Sequence, residues 1–211
     1  MYATYEDAER LICALPYPLS IGVLTNCTGT KLTGSAPAEE LYIGEQHRRL
    51  MQGVRAFRDG RGEHLDLYVM SAKYGVVRGD TRLESYDACL SRRAGDARRH
   101  GRLLGLPAAV RCFLSDGSVA LKLVALGAGY FEAGGFVAQR PPEGPTIVLA
   151  SEGWGAVLAN KWPEACVVPL RTSDTRRFSC GLVGLKGEVV RRLLLVAADR
   201  SPPATSEVRH A

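Results

Sequence analysis

The chain has 211 residues, 46% hydrophobic and 23% charged, with a formal net charge of +5 and a pI near 9.0. Those are the values of an ordinary globular protein, long enough to bury one core without staples. No apolar run reaches the roughly 18 residues of a membrane helix, and the acidic start "MYATYEDAERLICALPYPLS" lacks the basic region of a signal peptide.

The elements alternate along the chain. "YEDAERLICAL" predicts a short amphipathic helix, and the β-branched run "LSIGVLTN" a buried strand. "CTGTKLTGSAP" reads as a loop. "APAEELYIGEQHRRLMQGVRAFRDG" predicts one helix, with Pro37 in its first turn, acidic residues following and basic ones later. "HLDLYVMSA" is a second strand. The stretch "KYGVVRGDTRLESYDACLS" after it is a long loop, and therefore a functional candidate. "AGDARRHGRLLGLPAAVRCFLSDG" predicts helix, broken near Gly105 and Pro107. "SVALKLVALG" is a third strand, "AGYFEAGGF" a small turn element, and "QRPPEGP" a loop. "TIVLAS" is a fourth strand, "EGWGAVLANKW" a helix, "ACVVPL" a fifth strand and "GLVGLKGEVVRRLLLVAAD" a last helix. Strands alternating with helices imply a single α/β domain over 1–199, its mainly parallel central sheet covered by helices on both faces. A polar, disordered tail is expected over 200–211.

Cys13, Cys27, Cys89, Cys112, Cys166 and Cys180 occur singly, without a CxxC, and only four histidines are present. This predicts no metal and no other cofactor, and reduced thiols in a cytoplasm. The modest positive charge permits a phosphate-bearing partner. Arginine is concentrated in "LSRRAGDARRHGRLL", "RTSDTRRF" and "VVRRLLL", where the ordinary role of such a cluster is a solvated helix face.

In an open α/β sheet, ligands bind outside the carboxyl ends of the strands. Four predicted strands end in small polar residues, "TNCTGTK", "SAKYG", "GAGY" and "ASEG", which suggests one shared crevice. In "NCTGTK", Gly29 lets the backbone turn, Thr28 and Thr30 offer hydroxyls and Lys31 a charge, a combination able to hold a phosphate or carboxylate. It lacks the GxxxxGK[ST] spacing of a P-loop. Cys27, with no histidine near it in sequence, reads as a small buried thiol. "SAKYG" places Ser71 and Gly75 at the neighbouring strand end, with Lys73 as an anion contact. In "DTRLESYDACL", a carboxylate beside a phenol, Asp87 beside Tyr86, can act as a general base or stabilise a sugar cation; the alternative is that these carboxylates are merely solvated. Glu152 stands where a carboxylate caps a helix for structural reasons, and Trp154 suits base stacking or core packing. Lys186 opposes the dipole of the last helix, which points to an anionic partner.

"SAKYGVVRGDTRLESYDACL" resembles the bacterial peroxide stress proteins, in which a Ser-Gly-x-Tyr-Gly strand end precedes a Pro-Tyr-Arg-Leu-Glu segment. It is more similar to a family of small bacterial and phage domains with a Cys-x-x-x-Lys loop, an Ala-x-x-Leu-Tyr-x-Gly helix, a Leu-Ser-Ala-Lys-x-Gly strand end and a Tyr-Asp pair. The matching residues are Cys27, Lys31, Ala38, Leu41, Tyr42, Gly44, Ser71, Ala72, Lys73, Gly75, Tyr86 and Asp87. The likeness spans roughly residues 19 to 92. It weakens towards "LASEGW" and "GLVGLKGEVVRRL", and Ser85 stands where the peroxide stress proteins have proline. The group resembles the uracil-DNA-glycosylase-like folds and domains of deazaguanine nucleoside modification. That resemblance implies a nucleoside, nucleotide or nucleic-acid partner and chemistry on an N-glycosidic bond, by hydrolysis or transfer. It assigns the carboxylate role to Asp87, with Tyr86 orienting it. Ser71, Thr28 and backbone amides would hold the base or phosphate, and Lys31 and Lys73 the phosphate. Tyr42, Glu152 and Lys186 complete the expected contacts. The alternatives are a non-catalytic nucleic-acid-binding stress protein and another small-molecule enzyme.

Overall fold

The computed structural model describes residues 2–59, 64–90 and 93–200. All but the first residue of the tail expected over 200–211, and positions 91 and 92 of the first arginine cluster, lie outside the described residues. Helix α1 (Tyr5–Ala14) starts with a capping box, in which Thr4 and Asp7 satisfy each other's backbone N–H. Strand β1 (Ser20–Asn26) is almost wholly buried. A short β2 (Ser35–Pro37) leads into a one-turn α2 (Ala38–Leu41) and then α3 (Glu45–Arg58). Strands β3 (His64–Ser71), β4 (Gly75–Arg78) and β5 (Arg82–Glu84) follow. Helices α4 (Ala94–Leu103) and α5 (Leu106–Leu114) are separated at Gly105, which takes φ +68°. Then come β6 (Leu121–Ala125), a short α6 (Ala128–Ala133) with a 3-10 turn at Phe136–Ala138, β7 (Thr146–Ser151), α7 (Glu152–Lys161), β8 (Cys166–Leu170), α8 (Asp174–Arg177) and α9 (Leu185–Ala198).

Six strands form one sheet in the order β4-β3-β1-β6-β7-β8, and all pairs but β3–β4 are parallel. The fold is α/β, with a mainly parallel central sheet between two layers of helices. Strand residues alternate between the layers. Ile21, Val23, Leu121 and Leu123 pack with α1, α3 and α9, while Leu24, Val124 and Val148 pack with α4 to α7. The chain order of the parallel strands reverses between β1 and β6, and such a switch point opens a crevice at the carboxyl ends.

Three expectations are corrected. The segment 73–91 is not one loop. Gly75, at φ +79°, closes a tight turn after Ser71, so that β4 folds back antiparallel on β3, and β5 pairs with β2. The single helix expected over 36–60 is two, because the backbone at 41–43 pairs instead with residues 30–32: Leu32 N donates to Leu41 O, and Ile43 N to Thr30 O. "AGYFEAGGF" carries α6 rather than a turn alone, and α8 was not foreseen.

Helices α3 and α9 approach closely because glycine stands at their contact. A Cβ on Gly187 would lie 2.0 Å from the Gln46 carbonyl oxygen, and one on Gly53 2.7 Å from Arg191 Cα. Beside this seam Glu188, 2% exposed, accepts from Arg49 Nη1 (3.0 Å), Arg191 (2.6 Å and 2.9 Å) and Arg192 Nε (2.9 Å). Burial raises the Glu188 pKa, but the three guanidinium groups outweigh it and hold the carboxyl at about 2.

Gly187→Ala is expected to force the helices apart and cost about 2 kcal/mol or more, read from urea unfolding. Glu188→Ala leaves the arginines without their anion, at about 3 kcal/mol near neutral pH. Because the folded pKa lies below the ordinary carboxyl value, the gap between wild type and Glu188→Ala should be full above pH 4.5. It should shrink as pH falls towards 2.

Candidate functional site

The carboxyl ends of β1, β3 and β6 lie side by side. Asn26 ties two of them. Its Oδ1 accepts from Gly127 N (2.8 Å) and its Nδ2 donates to the Cys27 carbonyl (2.9 Å). At the end of β3, Ser71 is fully buried. Its Oγ accepts from the amides of Lys73 and Tyr74, both at 3.1 Å. With both lone pairs used, its hydroxyl donates to Tyr86 Oη at 2.7 Å. Tyr86 Oη also hydrogen-bonds Tyr42 Oη at 3.0 Å, and Tyr42 is 1% exposed. The Cys27 thiol is buried and hydrogen-bonds Tyr130 Oη at 2.8 Å. Burial, followed by the adjoining Cys27, pushes the Tyr86 and Tyr130 phenols well above their ordinary value; burial also raises Tyr42. The result is a connected cluster of four hydroxyls and one thiol, drawn from five segments of chain.

Cations cover it. Lys31 Nζ lies 4.2 Å from the centre of the Tyr86 ring and donates to the Gly29 carbonyl at 3.3 Å. Lys73 Nζ lies 4.8 Å from the Tyr74 ring centre and 5.7 Å from that of Tyr86. Tyr74 packs edge-on to Tyr86 and donates to the Glu84 carbonyl, which fastens the segment that carries Tyr86. Asp87, next in sequence, is exposed and makes no hydrogen bond or ion pair among the described residues.

The expected site residues divide accordingly. Cys27, Lys31, Tyr42, Ser71, Lys73 and Tyr86 converge, with Asp87 following Tyr86. Ser71 is inaccessible and fully engaged, so it positions Tyr86. Thr28 is also engaged: its hydroxyl donates to the Thr30 carbonyl (2.9 Å) and accepts from Gly44 N (3.2 Å), latching the loop to the first turn of α3. Around Gly29 there is open space, whereas Gly75 serves the turn into β4. Glu152 is exposed and ion-paired with Arg171 at 2.9 Å, on the far side of β7 from β1. Trp154 stacks on Phe131, with ring centres 5.1 Å apart, as core packing requires. Lys186 lies in the first turn of α9. Sequence reading passed over Tyr130, although "GAGY" marked its strand end.

Tyr86→Phe should strand the Ser71 proton and one Tyr42 contact, costing about 1–3 kcal/mol in denaturant unfolding at pH 7. Since the folded phenols ionise above the ordinary value of about 10, their contribution is complete below that pH and is lost as pH rises beyond it. The fall in thermal midpoint above pH 10 should therefore be smaller in a Tyr86→Phe, Tyr130→Phe double variant than in wild type.

Among the described residues, no helix is long and apolar enough to cross a membrane. No curated protein and no solved structure matches the chain. Residues 23–102, which carry Cys27, Lys31, Tyr42, Ser71, Lys73, Tyr86 and Asp87 but neither Tyr130 nor Lys186, match a family of unknown function (DUF6884).

Proposed function

We propose that the protein is an enzyme of nucleotides that breaks an N-glycosidic bond at the carboxyl edge of its sheet. The observation that carries this reading is the pairing of an exposed, unpaired carboxylate, Asp87, with a neighbouring aromatic platform under two ammonium groups. Lys31 and Lys73 neutralise a phosphate. Asp87 stabilises the positive charge that develops on the sugar as its bond to the base lengthens. The bonding pair leaves with the base nitrogen, which takes up a proton, and water or another acceptor adds to the sugar carbon and passes its proton to Asp87. Ser71 is fully engaged, and the hydroxyl cluster serves to hold Tyr86 rigid. The likeness of residues 71 to 90 to domains associated with such chemistry supports the reaction class, and the substrate would be met in the cytoplasm.

Binding of a nucleic acid without catalysis is the second reading, and the arginines speak against it. Arg98, Arg171, Arg177, Arg191 and Arg192 are each ion-paired within the fold, which reduces the free positive surface for a polyanion.

A chromatographic assay for free base, run over nucleosides, nucleotides and single- and double-stranded oligonucleotides, tests the proposal. Release from one class is expected, with about a 10²- to 10⁴-fold lower rate in Asp87→Asn and no loss of fold. Lys31→Gln should raise KM for phosphorylated substrates more than for the nucleoside. No release from any substrate, or undiminished release by Asp87→Asn, would overturn the assignment.

A further inference from the structure

Strand β4 is one margin of the central sheet, and alternate residues of it turn their backbone outward. Gly79 N donates to Leu67 O at 2.7 Å, so these opposite residues are a hydrogen-bonded pair of the antiparallel β3–β4 ladder. Alternation then bonds Val69 with Val77 and leaves Met70–Val76 and Tyr68–Arg78 unbonded. Met70 agrees with this phase: its carbonyl faces β1 and accepts from Cys27 N at 3.0 Å. Val76 and Arg78 therefore point their N–H and C=O groups away from the sheet. Thr81 N reaches the Arg78 carbonyl, but the Val76 N–H, the Val76 C=O and the Arg78 N–H have no partner among the described residues. The strand, Gly-Val-Val-Arg, has no proline, lysine or bulge to guard this edge. Its one charge, on Arg78, is offset by Asp66 at 3.0 Å and Asp80 at 3.5 Å. Beside the edge, between β4 and α5, lies a largely apolar cavity of about 480 Å³. Tyr68 and Val76 line it from the sheet, and Ala109, Cys112 and Phe113 from α5.

We propose that β4 is the contact through which two copies of this chain pair, antiparallel about a two-fold axis at Val77. In that register Val76 of one copy stands opposite Arg78 of the other, and the edge is its own complement. Each Val76 N–H donates to the Arg78 carbonyl across the axis, and each Arg78 N–H to the Val76 carbonyl. Every free backbone group of both edges is met, with none left over. The side chains agree with the register. Residues of a bonded pair share a face, so the aliphatic stem of each Arg78 lies along Val76 of the other copy, at the mouth of the apolar cavity. The two arginines come near each other, but each brings its own pair of carboxylates. Two six-stranded sheets become one continuous sheet, with the strand-end sites facing in opposite directions. So short a strand covers less than the roughly 800 Å² per partner of a standard interface, and the pairing is weak and dependent on concentration.

Sedimentation velocity of the full chain from about 20 µM to about 1 mM tests this, and the mass should climb from monomer towards dimer. Amide exchange followed by NMR over the same range locates the contact. The Val76 and Arg78 amides should exchange at least about threefold more slowly at the highest concentration than at the lowest, while Val77, bonded to β3 in either state, should not change. Val76→Pro removes an outward N–H and no ladder bond, so this variant should stay monomeric. Charge variants keep the test open if proline disturbs the Gly75 turn. Val77→Glu and Val77→Lys each set like charges opposite one another across the axis and should stay monomeric alone, whereas an equal mixture of the two should pair. A monomer at every concentration, a dimer that persists in all three variants, or a mixture of the folded charge variants that stays monomeric would overturn the proposal.

Discussion

One phenolic oxygen, that of Tyr86, ties the end of β3 to the break between α2 and α3. Ser71 donates to it from the strand, and Tyr42 meets it from the break. Each neighbour is itself fixed, Ser71 by two amides of the following turn and Tyr42 by burial and by its bridge to Lys31. A ring held at its hydroxyl and packed edge-on to Tyr74 and Tyr42 cannot swing. Lys31 and Lys73 therefore rest on a stationary surface, and the position of Asp87 follows from that of the residue before it. Hydroxyls in such a network give more rigidity than net stability, which is the property a site needs before a ligand arrives.

The same edge is shaped by helix packing. Gly187 and Gly53 let α3 and α9 touch through backbone, and Glu188 draws Arg49, Arg191 and Arg192 about the seam. On the opposite face Gly101 performs the matching service, since a Cβ there would lie 2.1 Å from the Ala133 carbonyl oxygen. Close approach on both faces leaves little slack in the layers that carry the strand ends. Of the arginine-rich runs, the last, with Arg191 and Arg192, is drawn into this internal pairing.

Much of the architecture was legible because parallel strands buried on both faces leave continuous apolar runs, as in "SIGVLTN", "LKLVA" and "TIVLAS". The segment 73–91 was misread because β4 and β5 are only four and three residues long and β4 begins at a turn glycine. The break between α2 and α3 carries no proline, and long-range pairing with residues 30–32 makes it, which no local pattern reports. Within the site, Cys27, Ser71 and Tyr86 stood out beside strand ends. What each hydroxyl does was hidden: Thr28 and Ser71 look like ligand contacts in sequence and are spent on backbone. Tyr130 escaped notice because its partner thiol lies 103 positions away.

That distance has a consequence for the chain as it is made. The first wing of the sheet, β1 with β3 and β4, is complete by residue 78, and the Ser71–Tyr42–Tyr86 contacts can form soon after. Strand β6, which covers the other side of β1, and Tyr130 behind it come later. A nascent chain paused between the two carries an open sheet edge along β1 and a Cys27 thiol still without its Tyr130 phenol. The order of synthesis thus exposes the most protected sulfur of the finished site to thiol-reactive chemistry for as long as translation takes to cross some fifty residues, a few seconds at ordinary elongation rates of about 5–20 residues per second.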